Sequence, residues 1–163
     1  MNNYKFSLAG YDDVPEIASL YGSLIGTPGC TWSSEYPNEE SAKSDVEKEA
    51  LYILKMDHKI VAVASMGDFN ELSHLQWSMQ KPCELARIGV VSAMQNQGVG
   101  TAILQNVIRI AKDKGFDGMR LLVSRTNPAA MALYEKNGFE KCGQAFMYGI
   151  DFYCYQAVFD TAV

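Results

Sequence analysis

A chain of 163 residues with 48% hydrophobic side chains can bury a real core, so disorder is excluded and one domain over 1–163 is expected. Its net charge of −5, without clustered Lys and Arg, argues against nucleic acid and mildly favours a cationic small substrate. No apolar run reaches the roughly 18 residues that span a membrane, and Met1-Asn2-Asn3-Tyr4-Lys5-Phe6 lacks the order of a secretory signal.

Residues 4–9 read as a first strand. Asp12-Asp13-Val14-Pro15-Glu16 reads as a helix start, with an Asp cap, a Pro in the first turn and acids at the positive dipole end. Ile17, Leu20, Tyr21, Leu24 and Ile25 give that helix an apolar face, and Gly26 with Pro28 ends it. Residues 27–37 form a loop carrying Cys30, Trp32 and Tyr36. Asn38-Glu39-Glu40 caps a second, largely charged helix that runs to about Glu49. Residues 51–56 and 60–66 read as a hairpin turning at Asp57-His58-Lys59. A polar loop over 67–82 holds Phe69, His74 and Trp77.

Residues 83–91 are short, mostly apolar and bounded by Pro82 and Ser92, which predicts a strand. A polar loop with Gly98 and Gly100 follows, and then Val99, Ile103, Leu104, Val107, Ile108 and Ala111 recur at helical spacing. Lys112-Asp113-Lys114-Gly115 closes this helix, and 119–124 is another strand. Asn127 to Phe139 is a short helix with an Asn cap, Pro at its first position and Gly at its exit. Residues 139–149 and 151–159, rich in aromatics, read as a closing antiparallel pair. The order β-α-α-β-β-β-α-β-α-β-β predicts an α/β class with one twisted mixed sheet flanked by helices. Cys30, Cys83, Cys142 and Cys154 are scattered, and His58 and His74 are isolated. Neither a metal site nor a disulfide framework is expected, and reduced thiols point to the cytoplasm.

The glycines at 98 and 100 fall where a helix begins. There, about four backbone N–H groups lack intrahelical partners, and the positive end of the macrodipole lies beside them. Without Cβ atoms, these positions let an anion come close, so the stretch suits a phosphate or pyrophosphate. Neither the dinucleotide fingerprint nor the nucleotide-triphosphate loop is present, since both require spacings that this chain lacks.

Gln95, Gly98 and Gly100 do form Gln-x-x-Gly-x-Gly, which resembles the acetyl-CoA loop of the GNAT superfamily of N-acetyltransferases. The segment from Asn127 to Phe139 resembles a second motif of that family, with Ala130, Tyr134, Gly138 and Phe139 in register. The element order is similar to the GNAT fold from first strand to last. The resemblance implies acetyl transfer from acetyl-CoA to the primary amine of a small molecule or peptide. It implies that Gln95, Asn96, Gln97, Gly98, Val99, Gly100 and Thr101 hold the pyrophosphate through main-chain donors. It also implies that the main chain of Val90 and Val91 pairs with the pantetheine arm, as an added strand would. Tyr134 is implied as the acid that protonates the leaving thiolate. Asn127, two helical turns earlier, is either a helix cap or a contact to the CoA arm. Glu84, at the strand start and 11 residues before Gln95, is the candidate base. Strict alternation puts Glu84 on one face with Ala86 and Ile88, and Arg87 on the other.

Trp32, Tyr36, Phe69 and Trp77 lie in the two loops that would flank an acceptor, as pocket walls or as anchors of the loops themselves. A rival reading is a non-catalytic acyl-CoA-binding or sensor module on the same fold. The oligomeric state stays open, the aromatic C-terminal strands being one place where a homodimer could pair.

Overall fold

Along Leu51–Met56 (β2), successive side chains enter two different cores: Leu51 and Ile53 join one, Tyr52 and Leu54 the other. That period of two marks a sheet buried on both faces. The computed structural model describes residues 3–160. Its other strands are Tyr4–Leu8 (β1), Lys59–Gly67 (β3), Pro82–Val90 (β4), Gly118–Ser124 (β5), Glu140–Met147 (β6) and Ile150–Val158 (β7). The helices are Val14–Leu24 (α1), Glu39–Glu47 (α2), Val99–Asp113 (α3) and Pro128–Lys136 (α4). The strands form one mixed sheet in the order β1-β2-β3-β4-β5-β7-β6. Val14, Ile17, Leu20, Tyr21 and Leu24 of α1 bury with Ala42 and Val46 of α2 against one face. Val99, Ile103, Leu104, Val107 and Ala111 of α3 and Tyr134 of α4 bury against the other.

The elements follow the expected order, with local reasons at most ends. Asn38 Oδ1 accepts from the Ser41 N–H at 3.1 Å, and Ser41 Oγ accepts from the Asn38 N–H at 3.2 Å, a reciprocal cap for α2. The Asp cap expected for α1 is not made. The Asp13 carboxylate instead accepts from the Gly10 N–H at 2.9 Å, closing a short 3-10 turn ahead of the helix.

β4 is where the sheet departs from regularity. It pairs with β3 between Glu84 and Val90 but is parallel to β5 only at Pro82, Cys83 and Glu84. Past Glu84 the two strands part. Between Ala86 and Gly89 the register against β3 slips, and Arg87 sits at φ 49°. This is a β-bulge, which bends a strand and raises its twist. The alternation expected for β4 fails there. Leu85, Ile88 and Val90 pack on the α3 side, while Arg87 turns to Asp45 of α2.

Candidate active site

The parting of β4 and β5 opens a cavity of about 620 Å³, lined by Leu85 to Val90 of one strand and Leu122 to Ser124 of the other. Leu24 and Trp32 from the α1 side and Leu133 and Tyr134 from the α4 side line it too, so it crosses the sheet.

One wall is the start of α3. Gly98 occupies the N-cap at φ 82°, a left-handed conformation that favours glycine, and no side chain caps the helix. The first intrahelical bond runs from the Ala102 N–H to the Gly98 carbonyl at 3.0 Å. The N–H groups of Val99, Gly100 and Thr101 therefore lack helical partners. Gln95, Asn96, Gly98, Gly100 and Thr101 line the cavity. Gln95 Nε2 donates to the Val90 carbonyl at 3.2 Å, tying the loop to the end of β4. The side chains of Val99 and Gln97 point elsewhere. The Val99 side chain is fully buried in the core, and Gln97 Nε2 donates to the Ala93 carbonyl at 3.1 Å. A Cβ on Gly100 would lie 3.3 Å from Leu133 Cδ2, so this glycine also lets α4 pack closely on α3.

Val90 and Val91 part company. The Val91 N–H donates to the Val61 carbonyl at 2.9 Å, so it faces β3 and not the cavity. By antiparallel alternation the main chain of Val90 faces the open side, where β5 does not pair with it and its carbonyl accepts from Gln95 Nε2.

Tyr134 lines the cavity from α4, its ring packed 5.6 Å from that of Phe139 and 6.2 Å from that of Tyr155. Its hydroxyl makes no hydrogen bond within the described residues. Burial pushes the Tyr134 phenol above the usual tyrosine range, which keeps its proton in place at neutral pH. Asn127 is a helix cap: its Oδ1 accepts from the Ala130 N–H at 3.1 Å. It also lines the cavity. A Cβ on Gly29 would come within 2.8 Å of its Cγ, so the loop after α1 lies directly on it.

Glu84 does not line the cavity. It is 2% exposed and accepts from Arg120 Nε at 2.9 Å, Arg120 Nη2 at 2.7 Å, the Glu71 N–H at 3.0 Å and the Leu72 N–H at 3.0 Å. With four donors already on it, this carboxylate ties a loop to the sheet, and the structure does not bring Glu84 to the cavity where the expected base would act. Trp77 belongs to the same anchor: its Nε1 donates to the Leu72 carbonyl at 2.8 Å, and its ring lies 5.7 Å from the Arg120 guanidinium. Among the described residues, no Asp, Glu or His lines the cavity.

Of the other loop aromatics, Trp32 lines the cavity, set edge-on to Tyr21 at 5.5 Å. Tyr36 and Phe69 do not line it; both rings pack on the Arg87 guanidinium, at 5.9 and 5.4 Å. Arg87 lines the cavity, its direction set by the bulge and not by strict alternation. Its Nε and Nη2 donate to Asp45 at 2.7 and 3.1 Å, and its Nη1 donates to Tyr36 Oη at 2.6 Å. Burial pulls the Arg87 pKa down, but the hydrogen bonds and charge of Asp45 outweigh it, so the group stays firmly charged. An arginine among the apolar residues of 85–90 was the available signal; Asp45, 42 residues away, was not.

The chain resembles proteins of known kind. Over 70 residues it is 36% identical to N-acetyltransferase 8F1 of Rattus norvegicus, a stretch that is 43% of this chain and 32% of that protein. The match thus spans about a third of the length of such curated relatives. The ribosomal-protein-S18-alanine N-acetyltransferase of Escherichia coli superposes at TM-score 0.76 with 22% identity, over 98% of this chain and 96% of that one. YncA of Salmonella typhimurium, solved with its cofactor acetyl-CoA, superposes at 0.79 with 19% identity, over 99% and 96%. These two likenesses show the shared fold. The profile of the Acetyltransferase (GNAT) family matches residues 17–139, more than half of the chain, and the protein belongs to that family.

Proposed function

We propose that the protein transfers the acetyl group of acetyl-CoA to a primary amine of a small molecule or peptide by direct attack. The observation that carries this reading is one cavity bordered by both the uncapped start of α3 and the Tyr134 hydroxyl. The free N–H groups at Gly98 to Thr101 suit the pyrophosphate. The edge of β4 that β5 leaves without a strand partner past Glu84 suits the amide groups of the pantetheine arm. With the CoA laid along these groups, its thioester falls at the gap between β4 and β5.

The amine nitrogen attacks the thioester carbonyl carbon, the C–S bond breaks, and Tyr134 gives its proton to the departing sulfur. A thiolate of pKa roughly 8.5 leaves more readily when protonated. The amine must first lose a proton. At pKa about 10 only about one amine in 10³ is neutral at pH 7, a cost of about 4 kcal/mol. With Glu84 committed to Arg120, that proton leaves through water at the open mouth of the cavity.

A binding module without catalysis is favoured by one observation, the lack of a lining carboxylate. Two measurements separate the readings. Calorimetry with CoA should show binding, and thiol release from acetyl-CoA should rise when an amine is added. Binding without release across a broad amine panel would establish the module and remove the enzyme.

A further inference from the structure

We infer that the acceptor is an amine on a single apolar body and carries no second cation. This deepens the acetyl-transfer reading and rests on it. The phosphate-binding end of the cavity lies on the α3 face of the sheet, so the acceptor comes from the opposite face. There the wall is Leu24, Pro28, Cys30 and Trp32, with the uncharged Thr27 and Thr31 between them and Arg87 beside them. Trp32 is held firmly: its ring backs on Tyr21, and its edge would lie 3.2 Å from a Cβ on Gly89.

A second ammonium needs a carboxylate, and the structure withholds one. Asp45 and Glu84 are the buried acidic residues among those described. Asp45 Oδ1 accepts from Arg87 Nη2 at 3.1 Å, and its Oδ2 accepts from Arg87 Nε at 2.7 Å and Ser65 Oγ at 2.6 Å. Glu84 is closed in the same way by Arg120 and two backbone N–H groups. The one charged side chain on this wall is therefore a cation, Arg87. Arg87 is itself paired with Asp45, so a polyamine would bring its second ammonium out of water onto a wall with no free carboxylate to meet it. The net charge of −5 draws any cation from a distance, but it gives no preference inside the cavity.

A matched pair tests this: hexylamine and 1,6-diaminohexane, alike in length and differing in one charge. With acetyl-CoA saturating, initial thiol release should give hexylamine the higher kcat/KM by about tenfold or more. Thr31 is exposed and lines the cavity, so Thr31→Asp places an acid on the wall without disturbing the core. It should narrow the gap by improving the diamine. Equal or better use of 1,6-diaminohexane by the unaltered protein overturns the inference and leaves acetyl transfer standing. If neither amine is acetylated, calorimetry on the CoA-bound protein decides. Binding of hexylamine and not of the diamine upholds the inference while acetyl transfer fails; no binding of hexylamine overturns it.

Discussion

Glu84→Gln separates a structural carboxylate from a catalytic base. In the folded protein, Glu84 is 2% and Arg120 6% exposed, and two hydrogen bonds join them. Glutamine keeps the shape but removes the charge, leaving the guanidinium buried without its counter-ion. Breaking a buried pair in this way costs about 3–5 kcal/mol. Its amide NH2 also turns a donor toward the Arg120 donors or toward the N–H groups of Glu71 and Leu72, so no rotamer recovers all four bonds. For a total stability of about 5–15 kcal/mol this is a large fraction. With a urea slope of about 2 kcal/mol/M, a 3 kcal/mol loss moves the unfolding midpoint by roughly 1.5 M. Urea titration followed by circular dichroism measures it. Thiol release per folded molecule should fall far less than the roughly 10²-fold expected for loss of a general base. The double variant Glu84→Leu with Arg120→Met should regain part of the stability, because an apolar pair removes both charges together. A single variant that melts like the parent yet turns over about a hundredfold more slowly would refute the reasoning and return Glu84 to the chemistry.

Tyr134→Phe should lower turnover by roughly 10²-fold while CoA affinity, measured by calorimetry, is nearly kept; unchanged turnover removes Tyr134 from the mechanism. Gly98→Ala meets no atom within 4 Å but must hold φ 82°, so it should cost about 1 kcal/mol of stability in a thermal melt. Asn127→Ala removes the bond to the Ala130 N–H and should cost about 1 kcal/mol, with Asn127→Ser retaining most of it. Burial raises the phenols of Tyr21 and Tyr134, so the folded protein holds protons that the unfolded chain releases near pH 10. The stability they contribute is therefore complete below about pH 10 and is lost as pH rises beyond it toward the folded values, which urea midpoints at rising pH would show; a flat profile there would contradict their burial.

What the sequence determined was set by near neighbours along the chain. The αL glycine before α3, the Asn caps of α2 and α4 and the apolar faces of α1 and α3 all depend on residues within a turn or two, so spacing alone revealed them. The uncapped start of α3, proposed above to hold the pyrophosphate, belongs to this class. Tertiary structure alone decided the fates of Glu84, Arg87 and Val91. Glu84 meets Arg120 because β4 and β5 run side by side for three residues, an adjacency that a separation of 36 positions conceals. A bulge, which leaves no mark in a run of apolar residues, turned Arg87 toward Asp45. The direction of the Val91 N–H was fixed by its register on β3. Charge partners and main-chain direction are properties of strand pairing, and pairing is chosen by the whole core, not by the segment that carries the residue.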